Sequence, residues 1–319
     1  MVETAQGIVV RTDAKVVHVE VDGDVRTFAP RGRLFDTLAD DVKNPIAVGD
    51  RVLVSLEGDP PGVEAVLERT NFLPRVASSH DPRAQILFAN VDQLILVGSI
   101  GKPGFSSNRT DRILASCRYY EIPAVLVINK VDQDKGGDVE AIRATYESSD
   151  VGFLATSATD GVGIDEFRAL LEGKTTALYG ASGAGKSTLI NAIQPGLDIK
   201  VGRISRYWSA GKHTTSYSQR HEVPAVGGFV IDTPGIRRFR LSGINKHELR
   251  DLFPEFTEPA KACKFAGNCS HDHEPGCTVF DAVEDGAIPV TRFQSYVEIL
   301  DELAPPPEDV PEVAPETDP

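Results

Sequence analysis

"GASGAGKST", Gly180 to Thr188, fits the pattern G-x-x-x-x-G-K-[ST]. It follows "TALY", an apolar run that reads as a buried strand, and it opens "KSTLINAI", which reads as a helix. A strand, a glycine-rich turn and a helix N-terminus in that order form a phosphate cradle. Glycine lets successive backbone N–H groups face one anion, and the helix dipole adds to the attraction. Gly180, Ala181, Ser182, Gly183, Ala184, Gly185, Lys186, Ser187 and Thr188 are therefore expected around the phosphates of a nucleotide. Lys186 should reach the β- and γ-phosphates, and the Ser187 hydroxyl should ligate Mg²⁺.

Working outward, "DTPG" (Asp232 to Gly235) ends the apolar run "GFVI". An acid at that strand end can hold Mg²⁺ through water, and the Gly235 N–H can meet the γ-phosphate. "NKVD" (Asn129 to Asp132) ends the run "AVLVI". Asp132 can accept from guanine N1–H and N2–H₂, a donor pair that adenine lacks. Asn129 should hold the loop, and the Lys130 stem should cover the base. One strand later comes "TSA", Thr156, Ser157 and Ala158, where the Ala158 N–H can meet guanine O6. The base-reading pair precedes the phosphate loop, the reverse of the common order. Strand packing permits this, because all these loops lie at the carboxyl ends of parallel strands. The order implies a circular permutation.

Buried strands alternate with helices from about Val91 to Gly243, which indicates a mostly parallel α/β sheet. Ahead of it, "GIVVRT", "KVVHVEV", "VRTFAP", "GDRVLVSL" and "VEAVLERT" read as five short strands of a small barrel, OB-type or SH3-like. The expected fold is multidomain α/β. An OB-type β-barrel covers 1–75, a permuted P-loop GTPase domain 76–243, a small helical metal-binding domain 244–303, and a disordered acidic, Pro-rich tail 304–319.

The composition, 41% hydrophobic and 25% charged, is that of a globular protein. No apolar run approaches the ~20 residues that a membrane span requires, and the opening residues lack a signal-peptide pattern. The expectation is a cytoplasmic protein with no membrane partner. The net charge of −14 argues against a nucleic-acid partner, and residues 1–75 carry thirteen acids against nine bases. The distribution weakens that argument. Lys200 to Arg240 holds eight Lys or Arg against Glu222 and Asp232, whereas Asp301 to Pro319 holds seven acids and no base.

Three of the four cysteines lie in "CKFAGNCSHDHEPGC". A reducing compartment favours metal over disulfide for such a cluster. Cys263, Cys269 and Cys277, with His271 or His273, supply the four ligands of a closed Zn²⁺ site. Cys117, in an apolar helix, reads as a core residue.

The permuted order, "GKHTT" (Gly211 to Thr215) between the phosphate loop and DTPG, the N-terminal barrel and the late cysteine cluster together resemble the ribosome small-subunit-dependent GTPase A (RsgA) family over roughly residues 5 to 300. The resemblance implies GTP and GDP as ligands, Mg²⁺, one structural Zn²⁺, a monomer, and small-subunit-stimulated GTP hydrolysis late in subunit maturation, with contacts to ribosomal RNA. It selects His271 as the fourth zinc ligand. In GKHTT, Thr214 or, by preference, Thr215 would give its hydroxyl to Mg²⁺. Ile236 stands where other GTPases place a water-orienting glutamine, and the resemblance points to His213 in its place. A His213 contact to RNA is the alternative. Two other function classes fit the sequence less well. An NTPase acting on a small molecule fits poorly with Asp132 and Ala158, and a non-catalytic RNA binder fits poorly with Lys186, Ser187 and Asp232.

Overall fold

The structure is a computed structural model and describes residues 3–36, 42–58, 61–78, 81–197, 218–233 and 239–303. His213, Thr214, Thr215, Gly235 and Ile236 lie outside the described residues. The chain divides into two compact units after Gly243.

The first unit opens with β1 (Thr4–Thr12), β2 (Val17–Val21), β3 (Asp24–Pro30), the short α1 (Arg33–Asp36), β4 (Arg51–Ser55) and β5 (Gly62–Val66). In β2, Val17, Val19 and Val21 point inward while His18 and Glu20 stay half-buried, the period-2 pattern of a strand with one wet face. Asp22 and Gly23 both take positive φ, at 53° and 84°, as a tight two-residue hairpin turn requires. β1 pairs with both β2 and β4, β3 runs parallel to β5, and β4 pairs with β5. That ring closes a five-stranded barrel of OB type, so the pairing decides between the two barrels the sequence allowed. Val9, Val19, Phe28, Val52, Val54 and Val63 fill it.

β6 (Phe72–Ser78) and β7 (Asp81–Ala89) form a separate antiparallel hairpin that the sequence reading did not anticipate. Residues 42–50 bind along it. Ala89 N donates to Val48 O at 2.9 Å, and Asn90 Nδ2 donates to Gly49 O at 3.0 Å. Gly49 has φ +90°, and a Cβ there would stand 2.0 Å from Ala89 O, so only glycine fits. Asp50, fully buried, is clasped by Arg69 through bonds of 2.7 and 2.8 Å.

The remainder of this unit is β8 (Gln93–Ser99), α2 (Ser107–Tyr119), β9 (Ala124–Asn129), α3 (Asp138–Tyr146), β10 (Gly152–Thr156), α4 (Ile164–Leu171), β11 (Thr175–Gly180), α5 (Lys186–Ile193), β12 (Gln219–Val223) and β13 (Gly228–Asp232). Their order in space is β10-β9-β8-β11-β13-β12, parallel except for β12. Leu94, Ile95, Leu96 and Val97 of β8 are all buried, as helices on both sheet faces demand. β12 also pairs with β1 through Arg11 and Gln219, so one eleven-stranded sheet runs through the barrel.

The second unit begins at Ile244. The sequence reads as a small helical domain. The observed chain is mostly short turns, with α6 (Thr257–Ala260), α7 (Thr278–Glu284) and one longer helix, α8 (Val290–Leu303). Its core is aromatic: Phe253, Phe256, Phe293 and Tyr296 pack edge to face or tilted. Within it Arg292 and Glu255, each 2% exposed, pair at 2.6 Å, and the Arg292 guanidinium lies 4.7 Å from the Phe253 ring centre. Pairing and stacking together offset the desolvation of both charges.

Candidate nucleotide site and metal centre

Parallel pairing puts the ends of β11, β9, β10 and β13 on one sheet edge, which brings together the loops that begin at Gly180, Asn129, Ser157 and Asp232. The turn after β11 leads into α5 through Gly185, whose φ of +100° only glycine adopts readily. A Cβ at Gly185 would stand 2.1 Å from Asn129 Nδ2, so this glycine also admits the neighbouring loop. Lys186, 4% exposed, donates from its ammonium to Gly180 O at 2.8 Å and to Ala181 O at 3.2 Å. Burial depresses its pKa, and the charge of Asp232 works the other way. Ser187 is half-buried, while Ser182, Gly183 and Thr188 are exposed.

Asp232 is 9% exposed, and its Oδ1 is buried with no hydrogen-bond partner among the described residues. Burial pushes its carboxyl up to about 7, with Lys186 pulling the other way. A buried carboxylate oxygen without a partner among the described residues suits a divalent cation. Thr233, the next residue, fixes the strand end by donating from its hydroxyl to Leu178 O at 2.7 Å.

The base-reading loops are tied to this turn. Asn129, 2% exposed, donates from Nδ2 to Ala184 O at 3.0 Å. Thr156, its register partner on β10, donates from its hydroxyl to Asn129 Oδ1 at 3.2 Å and so sets which way the amide faces. Ser157 Oγ donates to Asp132 Oδ1 at 2.6 Å and accepts from Asp160 N at 3.1 Å. Ala158 follows directly and is half-buried. Lys130 is left-handed at φ 63°, and its ammonium donates to Lys102 O at 2.5 Å, anchoring the loop to the one after β8. The orienting roles of Thr156 and Ser157 were not read from the sequence. A hydroxyl at the strand position level with Asn129 was the available signal.

In the second unit, Cys263, Cys269, His271 and Cys277 are all buried, with ligand atoms within 4.8 Å of one another. Cys263 Sγ is 3.9 Å from Cys277 Sγ, and His271 Nδ1 is 3.3 Å from Cys277 Sγ and 3.6 Å from Cys263 Sγ. Four tetrahedral ligands at about 2.3 Å from an ion stand about 3.8 Å apart, so three thiols and one imidazole here fit Zn²⁺. His271 reaches the cluster by adopting φ 58°. His273, the other candidate, has a side chain 79% exposed. Arg250 supports the loop by bonding to Gly267 O and Cys269 O. Cys117 is 1% exposed in the core, and burial pushes its thiol up to about 12.

Residues 66–242 match the family model described as RsgA GTPase. A Bacteroides thetaiotaomicron protein, small ribosomal subunit biogenesis GTPase RsgA 2, is 40% identical over 263 residues, 81% of this chain and 84% of the relative. Among solved structures, YjeQ from Thermotoga maritima superposes with a TM-score of 0.70 at 33% identity, covering 94% of this chain and 99% of that one. YloQ, described as a circularly permuted GTPase, superposes with a TM-score of 0.62 at 28% identity, covering 94% and 95%. With the strands of the barrel and of the glycine-rich turn on one sheet, this chain belongs to the RsgA GTPase family.

Proposed function

We propose that this chain hydrolyses GTP to GDP and phosphate, stimulated by the small ribosomal subunit, as a late factor in maturation of that subunit. The observation that carries the reading is the meeting of Asp132, Lys186 and Asp232 at one sheet edge. Asp132, preset by Ser157, accepts from guanine, and Ala158 N–H meets O6. Lys186 exchanges its bonds to Gly180 O and Ala181 O for phosphate oxygens. Ser187, Thr215 and Asp232 hold magnesium, which, when bound, neutralises charge on the β- and γ-phosphates. His213 orients the attacking water. The name borne by the relatives supports the subunit as partner.

As functional parts we propose the barrel at 1–75, the nucleotide domain at 76–243, a zinc domain at 244–303 and an acidic tail at 304–319. Cys263, Cys269, His271 and Cys277 hold a structural Zn²⁺, because four protein ligands close the tetrahedron. The protein acts as a cytoplasmic monomer. Among the described residues no helix is long and apolar enough to cross a membrane. The barrel and the zinc domain engage the subunit, including its RNA.

GTP turnover with and without purified small subunits tests the reading, with ATP as control. Stimulation confined to GTP is expected. Equal turnover of ATP, or no response to subunits, overturns it.

A further inference from the structure

β12 stands between the barrel and the magnesium-binding acid. Gln219 pairs with Arg11 of β1 on one side and with Asp232 of β13 on the other. One backbone line therefore runs from a barrel strand to the phosphate site. Arg220, the next residue, bonds back to the barrel at Glu20 Oε2 over 3.0 Å. Its guanidinium also lies 3.3 Å from the ring centre of Phe229 on β13. The Arg220 side chain is only 8% exposed, against 62% for Arg33 in the barrel's pair with Glu64. A planar guanidinium held between a carboxylate and a ring loses little freedom on pairing and resists displacement.

Two of the contacts between the barrel and the nucleotide half bear on this strand. One is the tight seam of Val48 and Gly49 against Ala89 and Asn90, where a Cβ on Gly49 has no room. The other is Glu20–Arg220 with the single backbone pair Arg11–Gln219. The first is closely packed. The second is a slim contact one strand from Asp232, where a force on the barrel meets the site.

We infer that Arg220, through Glu20, is a positioning residue for GTP hydrolysis: it ties the setting of β12 beside Asp232 to the barrel, so that a load on the barrel is felt at the phosphate site. The inference rests on the subunit-stimulated GTPase reading above. Arg220 touches no reacting atom in this scheme. A plain structural ion pair would affect stability and all rates together, whereas a relay affects only the stimulated rate.

The test uses the full chain with Glu20→Ala, Arg220→Ala, the double variant and Arg220→Lys. Basal turnover, GTP affinity, subunit affinity and turnover at saturating subunits are measured for each. Each single variant is expected to lower subunit-stimulated kcat roughly 10-fold, within the ordinary range of allosteric coupling. Basal turnover and GTP affinity should stay within about twofold, and the double variant should fall no further than the worse single. Arg220→Lys should recover part of the loss. A folded Glu20→Ala with full stimulation overturns the relay, and so does an equal fall of basal and stimulated rates. If the unmodified chain is not stimulated at all, the subunit reading fails, and hydrogen exchange without subunits decides the relay. Binding of a non-hydrolysable GTP analogue with magnesium should then alter protection in Gln219–Val223 and Thr4–Thr12 together, and in Glu20→Ala only in the former. The same pattern in both proteins overturns it.

Discussion

Asn129 and Ala184 are 55 positions apart in the chain and joined by a 3.0 Å hydrogen bond from amide to carbonyl. The bond ties the loop after β9 to the glycine-rich turn after β11. Asn129→Ala would leave the Ala184 carbonyl and the Thr156 hydroxyl without this partner in a buried place. Such a loss costs about 1–3 kcal/mol. Affinity for GTP and GDP should therefore fall together, roughly 5- to 150-fold, by titration calorimetry. A loss confined to one of the two nucleotides contradicts the coupling.

Asp132→Asn places a donor where guanine N2–H₂ needs an acceptor, while xanthine presents an oxygen there. Preference should move from guanine toward xanthine nucleotides. Ser157 still holds one side of the residue, so the loop should keep its shape. Unchanged guanine affinity would remove Asp132 from the base site.

Metal analysis should find one zinc ion per chain. Cys263→Ser or Cys277→Ser should raise hydrogen exchange across Ile244–Leu303, because a structural ion contributes folding energy directly. GTP binding, which belongs to the other unit, should persist. Normal protection in a zinc-free preparation would refute the assignment.

In the nucleotide- and metal-free protein, burial raises the carboxyl of Asp232 to about 7, from 3.8 for the free side chain. Between those values the folded chain keeps a proton that the unfolded chain has released. Stability contributed by this group therefore falls as pH rises from about 4 to about 7. Denaturation midpoints measured in chelator should show this slope, and Asp232→Asn should flatten it. An identical slope in the variant would place the titration elsewhere.

His213→Ala should leave GTP affinity nearly intact and lower subunit-stimulated turnover by roughly 10²–10⁴-fold, the range for a lost acid–base group. Lys186→Ala should damage nucleotide binding as well. Single-turnover hydrolysis at saturating subunits, beside a separate measurement of subunit affinity, distinguishes a catalytic residue from an RNA contact. Lost affinity with normal hydrolysis once bound would make His213 the latter.

That the motif loops gather at one end of a parallel sheet was legible, because each motif follows an apolar run of strand length. The barrel's type was not, since it is set by β1 meeting β4 and β3 meeting β5, pairings between residues far apart in the chain. β6 and β7 were hidden by Pro74 and Pro82 and by Arg75 and Arg83, which break the alternation of a half-buried strand. β12, "QRHEV", reads as polar because its arginine spends its charge on Glu20 and Phe229 rather than on solvent. Spacing alone left two histidines eligible for the zinc site. The positive φ of His271 turns one inward, and nothing in the residue type announces it.

The order of strands in space bears on how the chain is made. With β8 formed, β9 adds at one side and β10 adds beyond it; β11 then adds at the other side of β8. None of these strands must be threaded between two neighbours already joined. A chain emerging from its N-terminus can thus lay down the base-reading half as a growing edge, each strand finding an open row of backbone groups. The turn after β11 arrives later against that edge, and Asn129 Nδ2 gains its bond to Ala184 O only once that residue is synthesised. Guanine nucleotide, which needs both halves, can reward folding only after Asp232 has left the exit tunnel. For this permuted order, nucleotide is a ligand of the finished domain and not a scaffold for its early strands.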